Sequence, residues 1–229
     1  MKFNKEINCL NCSLKCELYE ALKNSNSNFE NMEHLHVFYH RHEMICKQGS
    51  DVTHSIYLVN GTAKLFIEGL NNRNIILYIM KPHNYIGLLS FFESPQYSYS
   101  VMALEETQIC MVELDLVKKL YLENHDLLIK LNSAFGKSVQ LIMNKIISLS
   151  QKQIRGRVAE SIIYLSELYQ NTNFEMHLTR KELGELSGIS EENTVRILTE
   201  MKKEKIIDVT GRNINIIDKK LLKKICDCG

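Results

Sequence analysis

The sequence of 229 residues has little proline, almost no net charge and no long apolar run. Only two prolines occur, and no segment rich in Pro, Gly and Ser marks a linker. A membrane-spanning helix needs about 20 consecutive apolar residues, and the polar first residues do not form a signal peptide. A net charge of +1 excludes neither DNA nor any other partner. We therefore expect a cytoplasmic protein without a membrane partner, long enough for one or two cored domains.

Three of the seven cysteines cluster near the start of the chain, where Cys9, Cys12 and Cys16 form a C-x2-C-x3-C motif. In a reducing compartment, cysteines serve as thiols or metal ligands more often than as disulfides. The three thiols can converge on one soft metal centre, zinc or iron-sulfur, if Cys46 or Cys110 supplies a fourth ligand. The alternative is three unliganded thiols near a flexible terminus.

Two short amphipathic helices joined by a tight turn are predicted between residues 178 and 201. Thr179 and Glu182 have the spacing of a capping box, which opens the first helix. Gly188 suits the left-handed turn that closes this helix, and Ser190 can cap the second. This arrangement is typical of a helix-turn-helix. The apolar positions with helical spacing are Leu183, Leu186, Val195, Ile197, Leu198 and Met201.

The second of these helices has the side chains of a DNA-recognition helix. An arginine can donate two hydrogen bonds to guanine, and a glutamate can accept one from cytosine. Glu192 and Arg196 lie four residues apart, on one helix face. They could form an ordinary surface ion pair, but their position directly after the turn favours base contact. The predicted base-contacting residues are Glu191, Glu192, Asn193 and Arg196.

Two short β-branched runs follow, at residues 205–209 and 213–217, with a Thr-Gly-Arg turn between them. They predict a β-hairpin wing beside the helix-turn-helix. Side chains around the two helices and the wing can bind DNA phosphates, which holds a protein on DNA without distinguishing sequences. The predicted phosphate contacts are Thr179, Arg180, Ser190, Lys202, Lys203 and Arg212.

Short alternating runs separated by turn residues dominate the region from residue 34 to residue 113. Many short strands at this spacing favour an antiparallel sandwich or jelly roll, a fold that can enclose a small effector. Four histidines in the region share one parity, and we expect them to form a solvated strand face, with metal or haem contact as the alternative. The predicted strands are residues 34–40, 54–59, 62–68, 74–80, 98–104 and 107–113. The histidines are His34, His36, His40 and His42.

Helical periodicity runs from residue 115 to residue 149, with a long portion from about residue 126, and a further amphipathic helix spans residues 154–170. The long helix has an apolar stripe near heptad spacing, which either its own domain or a second copy of the chain can cover. We favour a homodimer, because recognition of two DNA half-sites usually requires a two-fold partner. The predicted dimerisation residues are Leu128, Leu131, Phe135, Ile142, Ile146 and Leu149.

The order of these parts resembles the family of the cyclic-AMP receptor protein and the fumarate-nitrate reduction regulator (CRP/FNR). The resemblance is sharpest at residues 178–184, 196–198 and 156–159. It implies an α+β chain with an N-terminal antiparallel jelly roll, a long dimerisation helix and a C-terminal winged helix-turn-helix. The expected divisions are a cysteine segment at 1–25, the jelly roll at 26–123, the dimerisation helix at 124–150 and the DNA-binding domain at 151–229. The partners implied are double-stranded DNA at two-fold symmetric sites and RNA polymerase.

The resemblance also bears on the individual site residues. Glu192 and Arg196 fall on base-contacting positions of the family. Glu191 stands where the cyclic-AMP branch has an arginine, and Val195 where the oxygen-sensing branch has a serine. A central G·C contact in each half-site is therefore implied.

Two branches of the family suggest different effectors. Cyclic-AMP binders anchor the cyclic phosphate with an arginine, but no arginine occurs here between Arg73 and Arg155, so we expect no cyclic-AMP response. The oxygen-sensing branch holds a [4Fe-4S] cluster through three N-terminal cysteines and one at the end of the sandwich, which Cys9, Cys12, Cys16 and Cys110 resemble. The stretch that matches the effector pocket consists of Gly87, Leu88, Leu89, Tyr97 and Ser98.

We therefore expect a DNA-binding transcription regulator rather than an enzyme, controlled by redox or gas chemistry. The alternative keeps the DNA-binding part but places haem or another ligand in the sandwich pocket, with the cysteines incidental. A thiol enzyme would need a thioredoxin-like βαβ pattern around its Cys-x2-Cys motif, and the sequence has none.

Overall fold

The computed structural model describes residues 2–4, 12, 15–24, 34–88 and 96–229. The backbone divides into two compact units, one formed by residues 1–67 and 79–140 and the other by residues 68–78 and 141–229. The predicted α+β class is confirmed, with antiparallel sheets at the N-terminal end and a winged helix-turn-helix at the C-terminal end. Within the described ranges, no helix is long and apolar enough to cross a membrane.

The first sheets are formed by short strands, as the alternating runs predict. A five-stranded sheet has the order β1-β2-β9-β4-β7, and a four-stranded sheet has the order β3-β8-β5-β6. The strands are β1 (Lys2–Asn4), β2 (His34–Tyr39), β3 (Met44–Cys46), β4 (His54–Asn60), β5 (Ala63–Ile67), β6 (Ile75–Met80), β7 (Asn84–Ile86), β8 (Ser100–Ala103) and β9 (Thr107–Glu113).

Three helices accompany these strands. They are α1 (Glu17–Lys23), α2 (Leu114–Glu123) and α3 (His125–Gln151). Asn124 separates α2 from α3, and its side-chain oxygen accepts a hydrogen bond from the Leu127 backbone N–H at 2.9 Å. That bond satisfies one of the free donors at the start of α3.

The inner strand β4 of the five-stranded sheet is buried on both faces, which changes the expected environment of its side chains. The five residues from Ser55 to Val59 are all buried, and α1 buries Leu18 and Leu22 within the same unit. A strand covered on both sides loses its polar face. The prediction of a solvated histidine face is therefore wrong for His34 and His36, which are buried.

The second unit contains the predicted helix-turn-helix and wing. Its elements are α4 (Ile154–Tyr169), β10 (Asn173–Glu175), α5 (Arg180–Ser187), α6 (Glu191–Lys203), β11 (Ile207–Thr210), β12 (Asn213–Ile216) and α7 (Lys219–Cys228). The wing strands β11 and β12 pair antiparallel, and β10 extends their sheet. The last helix, α7, buries Leu222 and Cys226 and packs on α4.

Two glycines of the first unit offer a matched test of its packing. Gly61 and Gly49 have nearly the same φ, +83° and +82°. A Cβ on Gly61 would lie 2.5 Å from the carbonyl oxygen of Glu106, whereas a Cβ on Gly49 would meet nothing within 4 Å. The left-handed backbone penalises alanine at both positions, but only Gly61→Ala adds a backbone clash.

We expect Gly61→Ala to lower the free energy of unfolding by about 1–3 kcal/mol more than Gly49→Ala. Thermal unfolding followed by circular dichroism measures the difference. Equal melting temperatures for the two variants would contradict the tight packing assigned to Gly61.

Candidate functional site

The turn between α5 and α6 is fixed by caps on both sides. The hydroxyl of Thr179 accepts a hydrogen bond from the Glu182 backbone N–H at 3.1 Å, and the Glu182 carboxylate accepts one from the Thr179 N–H at 2.7 Å. This confirms the predicted capping box. Gly188 ends α5 with φ +64°, and the Ser190 hydroxyl accepts a hydrogen bond from the Asn193 N–H at 3.3 Å to open α6. The turn geometry was therefore encoded locally.

Two cations from α3 and α4 bind the carbonyl groups of this turn. The Lys145 Nζ donates to the Leu186 carbonyl oxygen at 2.6 Å, and Arg157 Nη1 donates to that of Gly188 at 3.2 Å. Burial lowers the pKa of Lys145 to about 8. This role of Lys145 was not predicted, because one lysine on a long helix carries no local signal of a distant carbonyl partner.

The recognition helix α6 buries one face and exposes the other. Glu191, Glu192 and Arg196 are exposed, as base-contacting residues must be. Arg196 pairs with Glu200 at 2.8 Å and donates to the Asn193 side-chain oxygen at 3.4 Å, so its partner is not Glu192. The buried face consists of Thr194, Ile197, Leu198 and Met201.

The side chains of two predicted phosphate contacts donate hydrogen bonds to backbone carbonyl groups of the wing. Arg180 donates to the carbonyl oxygen of Gly211, and burial lowers the pKa of Arg180. Lys202 donates to the carbonyl oxygen of Val209 at 2.7 Å and pairs with Asp208 at 2.9 Å. Thr179 is half-buried at its cap. The exposed members of the predicted set are Ser190, Lys202, Lys203 and Arg212, and Lys202 makes the wing contacts although it is exposed.

A row of side chains crosses the outer face of the five-stranded sheet. His36, Cys110, Tyr57 and Tyr85 are successive direct partners across β2, β9, β4 and β7. Directly opposite residues project from the same face, so the four side chains are neighbours in that order. The Tyr85 hydroxyl donates to the Glu17 carboxylate of α1 at 3.0 Å. The helix that follows the cysteine motif therefore contacts the Tyr85 end of this row.

Two of the four predicted cluster ligands act on the same tyrosine of this row. Burial raises the pKa of Tyr57, and its neighbours Glu17, Cys16 and Cys110 raise it further. Cys16 is half-buried directly before α1, where burial raises its pKa, and Cys12 is close enough to contribute. Cys16 and Cys110 thus each lie near Tyr57, whereas Cys9 lies outside the described residues.

The other candidate for a fourth ligand has a different location. Cys46 lies on β3 in the four-stranded sheet, and burial raises its pKa to about 12. Cys46 is therefore not part of the row formed by His36, Cys110, Tyr57 and Tyr85. In the part of the chain that the structure describes, no three His, Cys, Asp or Glu side chains form a metal-binding group.

The predicted effector stretch is lined by aromatic side chains. The Gly87 backbone N–H donates to the Tyr99 hydroxyl at 2.8 Å, and the rings of Tyr97 and Tyr99 are 6.1 Å apart. Leu88 and Tyr97 are buried, and Ser98 is exposed. Leu89 lies outside the described residues. The ring of Tyr97 and the exposed Ser98 thus stand where the resemblance would require an arginine.

The exposed apolar residues of α3 are not the same set as the predicted dimerisation residues. Leu131 is buried within its own chain, which corrects its assignment to a dimer contact, and Leu149 lies against Gly188. Ile146 is 55% exposed. The half-buried members are Leu128, Phe135 and Ile142. The exposed large apolar side chains of α3 are Ile129, Val139, Leu141, Met143, Ile146 and Ile147.

Comparison with protein families gives two matches in chain order. The cyclic nucleotide-binding domain matches residues 36–124, and the Crp-like helix-turn-helix domain matches residues 156–225. The cAMP-activated global transcriptional regulator CRP of Salmonella typhimurium is 24% identical over 189 residues, which cover 80% of this chain and 90% of that protein. The transcriptional activator protein Anr of Pseudomonas protegens is 24% identical over 182 residues, covering 77% and 74%.

Solved structures show the same fold. FixK2 from Bradyrhizobium japonicum aligns with a TM-score of 0.74 and 17% identity, over 83% of this chain and 96% of that one. A CooA mutant from Carboxydothermus hydrogenoformans aligns with a TM-score of 0.71 and 16% identity, over 90% and 94%. Because the two domain matches together cover more than half of the chain in the order that the fold shows, this protein belongs to the CRP/FNR family of DNA-binding transcription regulators.

Proposed function

We propose that this regulator acts in the cytoplasm as a homodimer on two-fold symmetric promoter sites, contacts RNA polymerase, and senses redox or gas signals through a [4Fe-4S] cluster. Cys9, Cys12, Cys16 and Cys110 would hold the cluster. The observation that carries the sensing role is that Cys16 and Cys110, far apart in sequence, both lie beside Tyr57. The proposed role of the protein is regulatory and not enzymatic.

The exposed start of α6 supports base recognition. Arg196 has the donors for a bidentate contact with guanine, and Glu192 has the acceptor for a cytosine amino group. In the protein without DNA, the Arg196 guanidinium pairs with Glu200, and both side chains are substantially exposed. Exposed pairs of this kind contribute at most about 1 kcal/mol, so a guanine can replace Glu200 as the partner.

Arg196→Ala should therefore weaken binding to the cognate site by about 1–3 kcal/mol, with little effect on random DNA. Lys203→Ala is the matched comparison, since this exposed lysine would meet only phosphates and its loss should weaken binding to all sequences similarly. Lys202 is unsuitable because its ammonium group fastens the wing. Binding titrations on specific and random duplexes measure both effects. Equal losses on the two duplexes for Arg196→Ala would contradict the assignment.

The exposed face of α3 supports dimerisation. Val139, Met143 and Ile146 follow one another at spacings of four and three residues, so they lie on one helix face. They are 37%, 53% and 55% exposed, which is unusual for large apolar side chains of one helix. A second copy of the chain is the occupant we propose, because two recognition helices are needed to contact two half-sites.

Met143→Glu should raise the dimer dissociation constant by at least about tenfold, because an interface would bury an unpaired carboxylate. The control is Leu122→Glu, which places the same charge at a 79% exposed apolar position on α2. Analytical ultracentrifugation measures the association of both variants. Unchanged dimerisation in Met143→Glu would remove this face from the interface.

The donor set supports an iron-sulfur cluster. Thiolates are the ligands that such clusters take, and the Cys110 side chain is only 7% exposed, which limits the access of solvent. A bound cluster would supply bonds that oxygen and nitric oxide break, which would couple its presence to dimer assembly and DNA affinity. Cys16 would supply a ligand from the N-terminal cysteine motif, and Cys110 would supply one from β9.

The residues of the effector stretch argue against cyclic AMP as the signal. A buried cyclic phosphate needs a cationic partner, and no arginine occurs between Arg73 and Arg155. Tyr97 fills part of this stretch with an aromatic ring. We therefore propose that cyclic AMP is not the signal, although CRP of Salmonella typhimurium is cAMP-activated.

Protein purified without oxygen should contain about four irons and four sulfides per chain, with broad visible absorbance that bleaches in air. Cys110→Ser should lose iron and sulfide. The matched control is Cys46→Ser, which changes another buried cysteine but should keep the cluster. A colourless, metal-free wild-type protein that still binds DNA would contradict the iron-sulfur proposal.

A further inference from the structure

His36 has a buried ring nitrogen for which the described part of the chain supplies no hydrogen-bond partner. The residue is 2% exposed, and its Nε2 atom is buried and unpartnered. Its other nitrogen, Nδ1, lies 3.0 Å from the side-chain nitrogen of Gln108. Buried polar groups are nearly always paired, so an orphaned one in a folded protein requires an explanation.

The bond to Gln108 determines which kind of atom is orphaned. A glutamine amide nitrogen can only donate, so Nδ1 of His36 must accept, and the ring proton of the neutral imidazole is on Nε2. The unpartnered atom is therefore an N–H donor. The site contains a fixed donor that lacks an acceptor.

The register of the sheet places this donor beside a proposed cluster ligand. His36 and Cys110 are direct partners across β2 and β9, so their side chains leave the same face with Cβ atoms about 5 Å apart. A protonated thiol is a weak acceptor of hydrogen bonds. A metal-bound thiolate is a strong one, because its negative charge attracts the N–H group.

We propose that His36 is a positioning residue of the cluster site, whose Nε2–H donates a hydrogen bond to the Cys110 sulfur when that sulfur is an iron-bound thiolate. The bond would orient the ligand and stabilise its negative charge, as hydrogen bonds to cluster sulfurs do elsewhere. It would also satisfy the donor that is orphaned in the metal-free protein. This inference rests on the proposed iron-sulfur function.

The test compares His36→Phe with His36→Gln and His34→Phe in protein loaded without oxygen. Phenylalanine keeps the ring but removes the donor, whereas a glutamine amide nitrogen reaches the position of Nε2. His34 is the matched control, because it is buried, its ring lies 5.6 Å from that of His36, and its partner across β9 is Val112 and not a cysteine.

We expect His36→Phe to retain iron about 10- to 100-fold less well against a chelator and to lower the reduction potential of the cluster. His36→Gln should restore most of both properties, and His34→Phe should change neither. The metal-free His36→Phe protein should melt close to the wild-type temperature, because the variant removes an unpaired buried donor and also the acceptor of the Gln108 amide. A purely structural role would instead lower that melting temperature.

Three results would overturn the proposal, and they are distinguishable. Wild-type iron retention and potential in His36→Phe would overturn the role of His36 alone. The role of His36 would also be overturned if His36→Phe lost iron, His36→Gln did not restore it, and the metal-free His36→Phe protein melted at a lower temperature than wild type. Wild-type protein without iron and sulfide would overturn the iron-sulfur function itself, and the His36 proposal with it.

Discussion

The antiparallel register of β2, β9 and β4 is the constraint on which the sensing end of this protein depends. Val37, Ile109 and Leu58 are direct partners across these strands, and all three are completely buried. Their burial fixes the register, because a slip of one residue would move a whole set of apolar side chains to the opposite face. The same register then places Cys110 on the outer face, between His36 and Tyr57.

The C-terminal unit depends in a similar way on lysine and arginine side chains that donate hydrogen bonds to backbone carbonyl groups of other elements. Lys145 and Arg157 bind carbonyl groups of the helix-turn-helix turn, while Arg180 and Lys202 fasten the wing. Three of these bonds join elements that are not consecutive in the chain, and the bond of Lys202 joins α6 to the next strand. Other cations of this unit stay exposed, among them Lys203, Lys205 and Arg212, so their placement around α6 matters more than their number. This is why the net charge of the chain says so little about its DNA-binding surface.

Much of the C-terminal unit could be predicted because its signals are local. The capping box at Thr179, the left-handed Gly188 and the cap at Ser190 each act over three or four residues. The six predicted strands were also found, within one or two residues at their ends. Strands of three residues, such as β3 and β7, contain too few alternations to be detected. The histidine face was mistaken because the covering helix α1 was not predicted.

The sequence by itself determined the order of the elements, the turn chemistry of the helix-turn-helix and the residue types available for DNA and for metal. These depend on interactions between residues close together in the chain. Only the tertiary structure decided that Leu131 is buried within its own unit, that Arg196 pairs with Glu200, and that Cys110 lies between His36 and Tyr57. Burial and the pairing of distant strands select these arrangements, and neither leaves a periodic trace in the sequence.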